Sequence, residues 1–423
     1  MKGRILIVDD EPGILASLSG VLADEGYETV CTRSGAEALE LYRERPPDAV
    51  FLDIWLPDRD GLETLEAILE LDPEAAVVMM SGHGTPATAA RAVKMGAFDY
   101  VEKPLSYDQA VEVVAAAVTM RRGGTPPERP RWERDEDFRA PAPLRITAEG
   151  GEPQRTLRES TVLYGLGLHS GTRTGMVLQP LPPDSGIHFI TLPSGSHIPA
   201  HVSSVTETDY ATTLHGGGDR IRTVEHLLSA LHAYGIINLL VKVHGEIPVL
   251  DGSALEFCRA FDEVGVEEQD RRRRDLVIDR GYRVGEGEKS LTLEPGDGFA
   301  VSYLLRYPAP VGEQRYEFEL AGVDAYKEQI APARTFGFMR DLTMIQELGL
   351  GSGGRLDNFI LVGEDDVLNT ELRFPDEFVR HKILDIIGDL YLLGYPVRGR
   401  VTARLTGHRD NIAILRKLVA EAA

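Results

Sequence analysis

His381 and Asp385 stand four residues apart in Arg380-His-Lys-Ile-Leu-Asp-Ile-Ile-Gly-Asp-Leu390, a run whose apolar residues recur with helical period. On a helix that spacing lays both side chains on one face, so the pair can grip a single cation. Asp389 lies one turn further along the same stripe. Upstream, Thr223-Val-Glu-His-Leu-Leu-Ser-Ala-Leu231 sets Glu225 beside His226. In that adjacency the His is a metal ligand and the Glu handles the proton of the attacking water. Two His and one Asp make a three-ligand zinc site with a fourth position open, the arrangement of a metal-dependent hydrolase. Taken alone, a His–Asp pair at this spacing is more often solvated or hydrogen-bonded than metal-binding. The reading therefore rests on what surrounds the pair.

A second group of polar residues is acidic. Asp9 and Asp10 follow the apolar run Ile5–Val8, Asp53 follows Ala49–Leu52, Ser81 follows Val77–Met80, and Lys103 comes shortly after Tyr100-Val101. Three carboxylates in one crevice repel one another unless they share a hard cation, and all-oxygen ligands suit Mg²⁺. A single Asp at a strand end usually caps the next helix. Five polar residues converging on one sheet edge make a stronger case for a site.

The elements that must position these groups differ between the two halves of the chain. Residues 1–121 alternate strand-length apolar runs with helix-period segments. That alternation predicts an α/β, doubly wound parallel sheet of five strands, flavodoxin-like, with its ligand at the carboxyl ends of the strands. Residues 122–153 hold Gly123-Gly-Thr-Pro-Pro127, Pro130, Pro141, Pro143 and Gly150-Gly151 among mixed charges, and read as a flexible linker. From Gln154 order resumes. Strand-like segments surround Gly165-Leu-Gly-Leu-His-Ser-Gly171, the Glu225–His226 helix follows, and Asp251-Gly-Ser253 reads as a turn. Size alone suggests two similarly built halves, 154–273 and 274–423. With three ligands already assigned, His169, His232 and His244 read as structural.

Composition narrows the classes. The chain has 423 residues, 43% of them hydrophobic, which is ample for packed cores. Lys and Arg number 45 against 67 Asp and Glu, for a net charge of −22, so nucleic-acid phosphates and anionic membranes repel it. The one dense basic run, Arg271–Arg274, is flanked by Asp270 and Asp275 and reads as a solvated connector. The two cysteines, Cys31 and Cys258, lack CxxC spacing, which fits a reducing compartment and leaves no Cys-based zinc site. No signal peptide precedes Arg4-Ile-Leu-Ile-Val8 and no run of 18 apolar residues occurs, so a cytoplasmic protein without a transmembrane segment is expected.

From about Gln154 to the C-terminus the chain resembles the UDP-3-O-acyl-N-acetylglucosamine deacetylases of lipid A synthesis. The resemblance is carried by Thr223-Val-Glu-His-Leu-Leu-Ser-Ala-Leu231, Gly245-Glu-Ile-Pro-Val-Leu-Asp-Gly-Ser-Ala254, Arg334-Thr-Phe-Gly-Phe338, His381-Lys-x-x-Asp385 and Gly407-His408. It implies two α+β domains, each a sheet layered on helices, with the site between them. It also implies Zn²⁺ on His226, His381 and Asp385, Glu225 as base, and His408 as the imidazolium that stabilises the oxyanion and protonates the amine. Asp389 then orients His408, Thr335 hydrogen-bonds the oxyanion, and Lys382 meets the nucleotide phosphates. The segment Leu342–Leu350, with Met344, Ile345, Leu348 and Leu350, corresponds to an apolar passage for the acyl chain. Two departures stand out: Arg355 where the family has Ser, and Arg409-Asp-Asn-Ile412 where small and apolar residues are usual.

Residues 1–121 resemble the receiver domain of two-component response regulators through Asp9-Asp10, Leu52-Asp-Ile54, Met80-Ser-Gly82 and Lys103-Pro104. That likeness implies Asp53 as phosphoacceptor, Mg²⁺ on Asp9, Asp10 and Asp53, Ser81 and Lys103 at the phosphoryl group, Tyr100 as switch aromatic, and a sensor histidine kinase as partner. Helix 4, near Pro86–Met95, and the fifth strand then carry the signal outward. Trp55, just after the acceptor, is bulky for its place. Two functions follow. One is a zinc amidase gated by a phosphorylatable receiver. The other is a response regulator whose deacetylase-like half senses a sugar-nucleotide lipid precursor without turnover.

Overall fold

A computed structural model describes residues 2–81, 92, 95–103, 107–122, 138–192 and 194–422. The chain divides into two compact units, one within Met1–Arg134 and one within Asp135–Ala423, Pro193–Gly195 apart.

In the first unit the strands are β1 (Arg4–Val8), β2 (Glu28–Thr32), β3 (Ala49–Asp53), β4 (Val77–Ser81) and β5 (Asp99–Glu102). The described helices are α1 (Pro12–Asp24), α2 (Gly35–Glu44), α3 (Gly61–Leu71) and α4 (Tyr107–Arg121). The sheet runs β2-β1-β3-β4-β5 and every pairing is parallel. Near-continuous apolar strands are what such a sheet needs, since both its faces are buried. Alternate residues serve opposite faces: Ile5, Ile7, Phe51, Val78 and Met80 pack with α1 and α4, whereas Leu6, Val8, Val50, Leu52 and Met79 pack with α2 and α3. The order reverses between β1 and β3, so the crevice lies where Asp9 and Asp53 end their strands. Pro12 opens α1, Ser34 caps α2 by accepting from Glu37 N at 3.2 Å, and Asp60 caps α3 by accepting from Leu62 N at 2.8 Å. The expected fourth helix near Pro86–Met95 falls almost wholly outside the described residues.

The second unit begins with strands β6 (Thr147–Leu157), β7 (Thr161–Leu166), β8 (Arg173–Pro180), β9 (Ile187–Thr191) and β10 (His197–Pro199). Short strands β11 (Val205–Glu207), β12 (Thr213–Gly216) and β13 (Asp219–Ile221) lead to helix α5 (Glu225–Tyr234), followed by β14 (Leu239–Val243) and α6 (Leu255–Val264). Then come β15 (Val266–Val277), β16 (Tyr282–Glu286), β17 (Lys289–Glu294), β18 (Phe299–Arg306), β19 (Glu313–Glu319) and α7 (Val323–Gln329). The chain closes with β20 (Phe336–Phe338), α8 (Leu342–Glu347), β21 (Ile360–Val362), α9 (Glu377–Leu390), β22 (Val397–Arg404) and α10 (His408–Ala422). One five-stranded sheet runs β10-β9-β14-β8-β7; a seven-stranded one runs β16-β17-β22-β15-β6 and adds β18 and β19 through β22.

A single hydrophobic core spans this unit from Ile146 to Ala422. Helices α5 and α9 form its centre: every residue of α5 is buried, as are twelve of α9. Helices apolar all round belong inside a core, so the few polar groups they carry need a reason to be there. Gly388 lets the two meet, because a Cβ at that position would overlap the Glu225 carbonyl oxygen. Gly235, at φ 66°, ends α5 in the left-handed cap that glycine adopts without strain.

Three sequence expectations change here. The flexible stretch expected over 122–153 is structured from Phe138 on, and β6 starts at Thr147. The Arg271–Arg274 connector is strand: β15 pairs antiparallel with β6, Arg272 opposite Pro153 and Arg274 opposite Glu149. Each looks irregular alone, and each supplies the other's hydrogen-bond partners. β15 also runs through the expected 273/274 boundary. No helix among the described residues is long and apolar enough to cross a membrane.

Candidate metal centre

Helix α5 presents Glu225 and His226 in its first turn, and α9 presents His381 and Asp385 on the face that crosses it. One ligand atom from each of His226, His381 and Asp385 lies within 4.8 Å of the others, and all three side chains are buried. The imidazoles of His226 and His381 meet edge to face with centroids 5.1 Å apart. Asp385 Oδ1 is 3.5 Å from His381 Nε2.

The donor set suits zinc, and the surroundings prepare it. His381 Nδ1 donates to the Ala333 carbonyl at 3.1 Å, which fixes the tautomer and leaves Nε2 with its lone pair. His226 Nδ1 is buried with no hydrogen-bond partner, an orphan that ligation would explain. Burial pushes the His226 pKa down to about 3, helped by His381, so the ring is neutral as a ligand must be. Burial likewise lowers His381. Burial opposes charge on Asp385, yet Lys382, whose Nζ lies 2.6 Å from Oδ2, joins His381 and His408 in holding its pKa far below the carboxylate range.

The reacting groups flank this trio. His408 opens α10 with its Nε2 3.9 Å from Glu225 Oε1 and 3.8 Å from Asp385 Oδ2. Its Nδ1 is 2.7 Å from Asp389 Oδ2. Burial acts against the imidazolium, but Asp389, Asp385 and Glu225 raise the His408 pKa to about 9. The Glu225 carboxyl is pushed up to about 8, mainly by burial and further by Asp389 and Asp385, against His408. Thr335 sits in the Ala333–Phe336 segment, its N–H donating to Gly252 O at 2.7 Å, with the Phe336 ring 6.1 Å from that of His381.

Thr212 joins the site without having been singled out, and Asn411, noted above only within a departure from the family, joins it too. Thr212 N donates to Glu225 Oε2 at 3.1 Å and its hydroxyl donates to Asp389 Oδ1 at 2.6 Å, while Asn411 Nδ2 donates to Asp389 Oδ2 at 2.8 Å. Asn411 stands three residues after His408, a spacing that shares a helix face, so periodicity could have found it. Nothing in the residue types around Thr212 announces it. Arg355, the departure from Ser, folds onto its own loop, donating to Ser352 O at 3.0 Å and Gly354 O at 2.9 Å. Met344 and Leu348 of the apolar segment are largely exposed.

In the first unit Lys103 Nζ stands 2.6 Å from Asp9 Oδ2 and 2.7 Å from Asp53 Oδ2, so one ammonium spans the two carboxylates. The group whose ligand atoms could share a cation is Asp9, Asp10 and Glu11; Asp53 joins it through Lys103 rather than directly. Burial raises the Asp53 pKa against the pull of Lys103. Ser81 is buried at the end of β4, and Tyr100 is half-buried on β5 opposite Met79.

Comparison with known proteins agrees with both halves. The family profile described as LpxC, UDP-3-O-acyl N-acetylglycosamine deacetylase, matches residues 154–420, and the response regulator receiver domain profile matches 5–115. Three relatives bear the name UDP-3-O-acyl-N-acetylglucosamine deacetylase. That of Anaeromyxobacter dehalogenans is 44% identical over 273 residues, 64% of this chain and 88% of the relative. That of Myxococcus xanthus is 44% identical, covering 63% and 87%, and that of Helicobacter pylori strain J99 is 40% identical, covering 64% and 92%. Among solved structures, the receiver domain of NtrX from Brucella abortus is 45% identical, covering 27% of this chain and 97% of that one, with a TM-score of 0.26. A receiver domain therefore precedes a deacetylase fold. The chain belongs to the UDP-3-O-acyl-N-acetylglucosamine deacetylase family.

Proposed function

We propose that this chain is a zinc-dependent amidase that removes the N-acetyl group of UDP-3-O-acyl-N-acetylglucosamine in lipid A synthesis. The observation that carries the reading is the convergence of His226, His381 and Asp385 within 4.8 Å beside Glu225 and His408. Zinc on those three side chains supplies a Lewis acid and lowers the pKa of a water to about 7. Glu225, next to His226 and facing the site, acts as its ionised carboxylate and takes the proton of the water that attacks the amide carbon. His408 enters protonated, its Nδ1 held by Asp389 and its Nε2–H turned toward the site, where it donates to the oxyanion. It then hands that proton to the amine as the C–N bond breaks, so water and amide become acetate and the free amine. Thr335 assists at the oxyanion and Lys382 at the nucleotide phosphates.

The receiver, residues 1–121, is phosphorylated on Asp53 by a sensor histidine kinase, with Mg²⁺ held by Asp9 and Asp10 beside it, and sets the deacetylase rate. The enzyme part is the second unit, with β15 running through its middle, and it acts in the cytoplasm. The decisive experiment is hydrolysis of the nucleotide substrate by metal-analysed protein, wild type beside Glu225→Ala. One zinc per chain and turnover lost in the variant is the expected result. Zinc bound without turnover, even with beryllofluoride on the receiver, would instead indicate a sensor.

A further inference from the structure

We infer that Arg334, Glu377 and the Asp251–Ser253 turn form a frame that holds the Ala333 carbonyl on His381 Nδ1, making them positioning residues for the metal site; the inference rests on reading His381 as a ligand.

The segment Ala331–Thr335 is fastened almost atom by atom. Ala331 O accepts from Ala254 N at 2.9 Å, Pro332 O from Arg373 Nη1 at 2.8 Å, and Ala333 O from His381 Nδ1 at 3.1 Å. Arg334 N donates to Glu377 Oε1 at 3.0 Å, Thr335 N to Gly252 O at 2.7 Å, and Thr335 O accepts from Ile360 N at 2.8 Å. Its centre is the buried pair Arg334–Glu377, with Nε to Oε1 at 2.9 Å and Nη2 to Oε2 at 3.2 Å. Two further guanidinium hydrogens go to Thr370 Oγ1 at 2.9 Å and Glu371 O at 2.7 Å, while Glu377 Oε2 also accepts from Arg373 N at 2.6 Å.

The placement of this pair gives it a purpose. Arg334 follows the carbonyl that His381 needs, and Glu377 precedes His381 by four residues, one helical turn. The ion pair therefore ties the two ends of the Ala333–His381 hydrogen bond together from the next residue on one side and the next turn on the other. A bidentate arginine–carboxylate fork fixes distance and orientation at once, which a single bond does not. Stability alone is a poor reason for it, since buried ion pairs are often replaceable by apolar side chains without loss. Arg373 links the frame to the Asp251–Ser253 turn, its Nη2 2.9 Å from Asp251 Oδ2, while Asp251 Oδ1 accepts from Ser253 N at 3.0 Å and Ser253 Oγ at 2.8 Å. That turn carries the Gly252 carbonyl for Thr335, and Gly252, at φ 86°, is required because a Cβ would overlap Asn358 O. A motif that reads as an ordinary turn thus reaches the metal ligand.

The test uses the full chain with Glu377→Gln and Arg334→Lys, which keep size or charge but lose the fork. Two quantities are read: zinc affinity by competition with a chelating dye, and the His381 imidazole ¹⁵N tautomer signals in zinc-free protein. The expected result is zinc binding weakened about ten- to a hundredfold, the usual cost of losing such support, with the Nδ1–H form of His381 giving way to a mixture. Folded variants with wild-type zinc affinity and an unchanged His381 signal would overturn the frame. Should Glu377→Gln fail to fold, Asp251→Asn at the more accessible end supplies the same comparison. Wild-type protein that binds no zinc would remove the metal reading, while the tautomer signal would still decide the frame.

Discussion

The two acidic pockets of this chain are built on opposite plans. In the receiver, Asp9 and Asp53 end neighbouring parallel strands, and one ammonium, Lys103, spans both. In the deacetylase, the carboxylate Asp385 and two neutral imidazoles project from crossing helices at the centre of a core. Strand ends at a sheet edge open to loops, which suits the phosphoryl transfer proposed for Asp53. Crossed buried helices fix spacing, which suits a set of ligands that must not move. The first pocket uses oxygen alone and fits a hard ion; the second mixes nitrogen and oxygen and fits zinc.

Glu225 separates catalysis from metal binding most visibly. Changing it to Gln should lower kcat by about 10²- to 10⁴-fold, the range for a lost general base, while zinc content stays at wild-type level. A parallel loss of zinc would show Glu225 to be part of the ligand set instead. Zinc removal comes next. At a hundredfold excess over Kd a bound ion stabilises the folded state by about 2.7 kcal/mol, so chelation should lower the unfolding midpoint of the deacetylase transition and leave that of the receiver in place. Mg²⁺ should do the reverse. A calorimetric scan in which one ion shifts both transitions would erase the distinction.

Gly388→Ala tests the fixed spacing. Overpacking a core costs roughly 1–3 kcal/mol, and here the methyl meets backbone, so thermal stability and zinc affinity should fall together. The pH profile gives a smaller effect. As the proposed acid His408 has to be protonated, and its acidic neighbours raise its pKa to about 9, so the rate should fall as pH rises past that value. Asp389 is among the groups that raise it. Asp389→Asn should therefore move the alkaline limb to lower pH, and an unmoved limb would assign it to another group. The smallest change is expected from Asp53→Asn, which should leave the basal deacetylase rate near wild type and abolish any response to beryllofluoride.

Much of this was legible in the sequence, for physical reasons. His381 and Asp385 share a helix face by spacing alone, and the apolar runs of β1, β3 and β4 announce a sheet buried on both sides. Strand β2, Glu-Thr-Val-Cys-Thr, carries no such run, because it lies at the sheet edge and is only partly buried. The Gly150-Gly151 stretch and the arginine run read as irregular because each is mostly solvated, and only their mutual ladder makes them strand. Thr212 escaped since two of its partners, Asp389 and His408, lie 177 and 196 residues away in sequence. Local pattern carries no trace of such contacts.

Gly388 lies against the backbone of Glu225. At that point α9 touches α5 with no side chain between them, glycine backbone against the Glu225 peptide. The gap between the Glu225–His226 pair and the His381–Asp385 pair is thereby set by atomic radii of the main chain, as by a gauge block. A changed Ile or Leu beside the crossing would on this account leave the interval between base and ligands intact, whereas one residue inserted within either helix would turn one pair away from the other by about 100°.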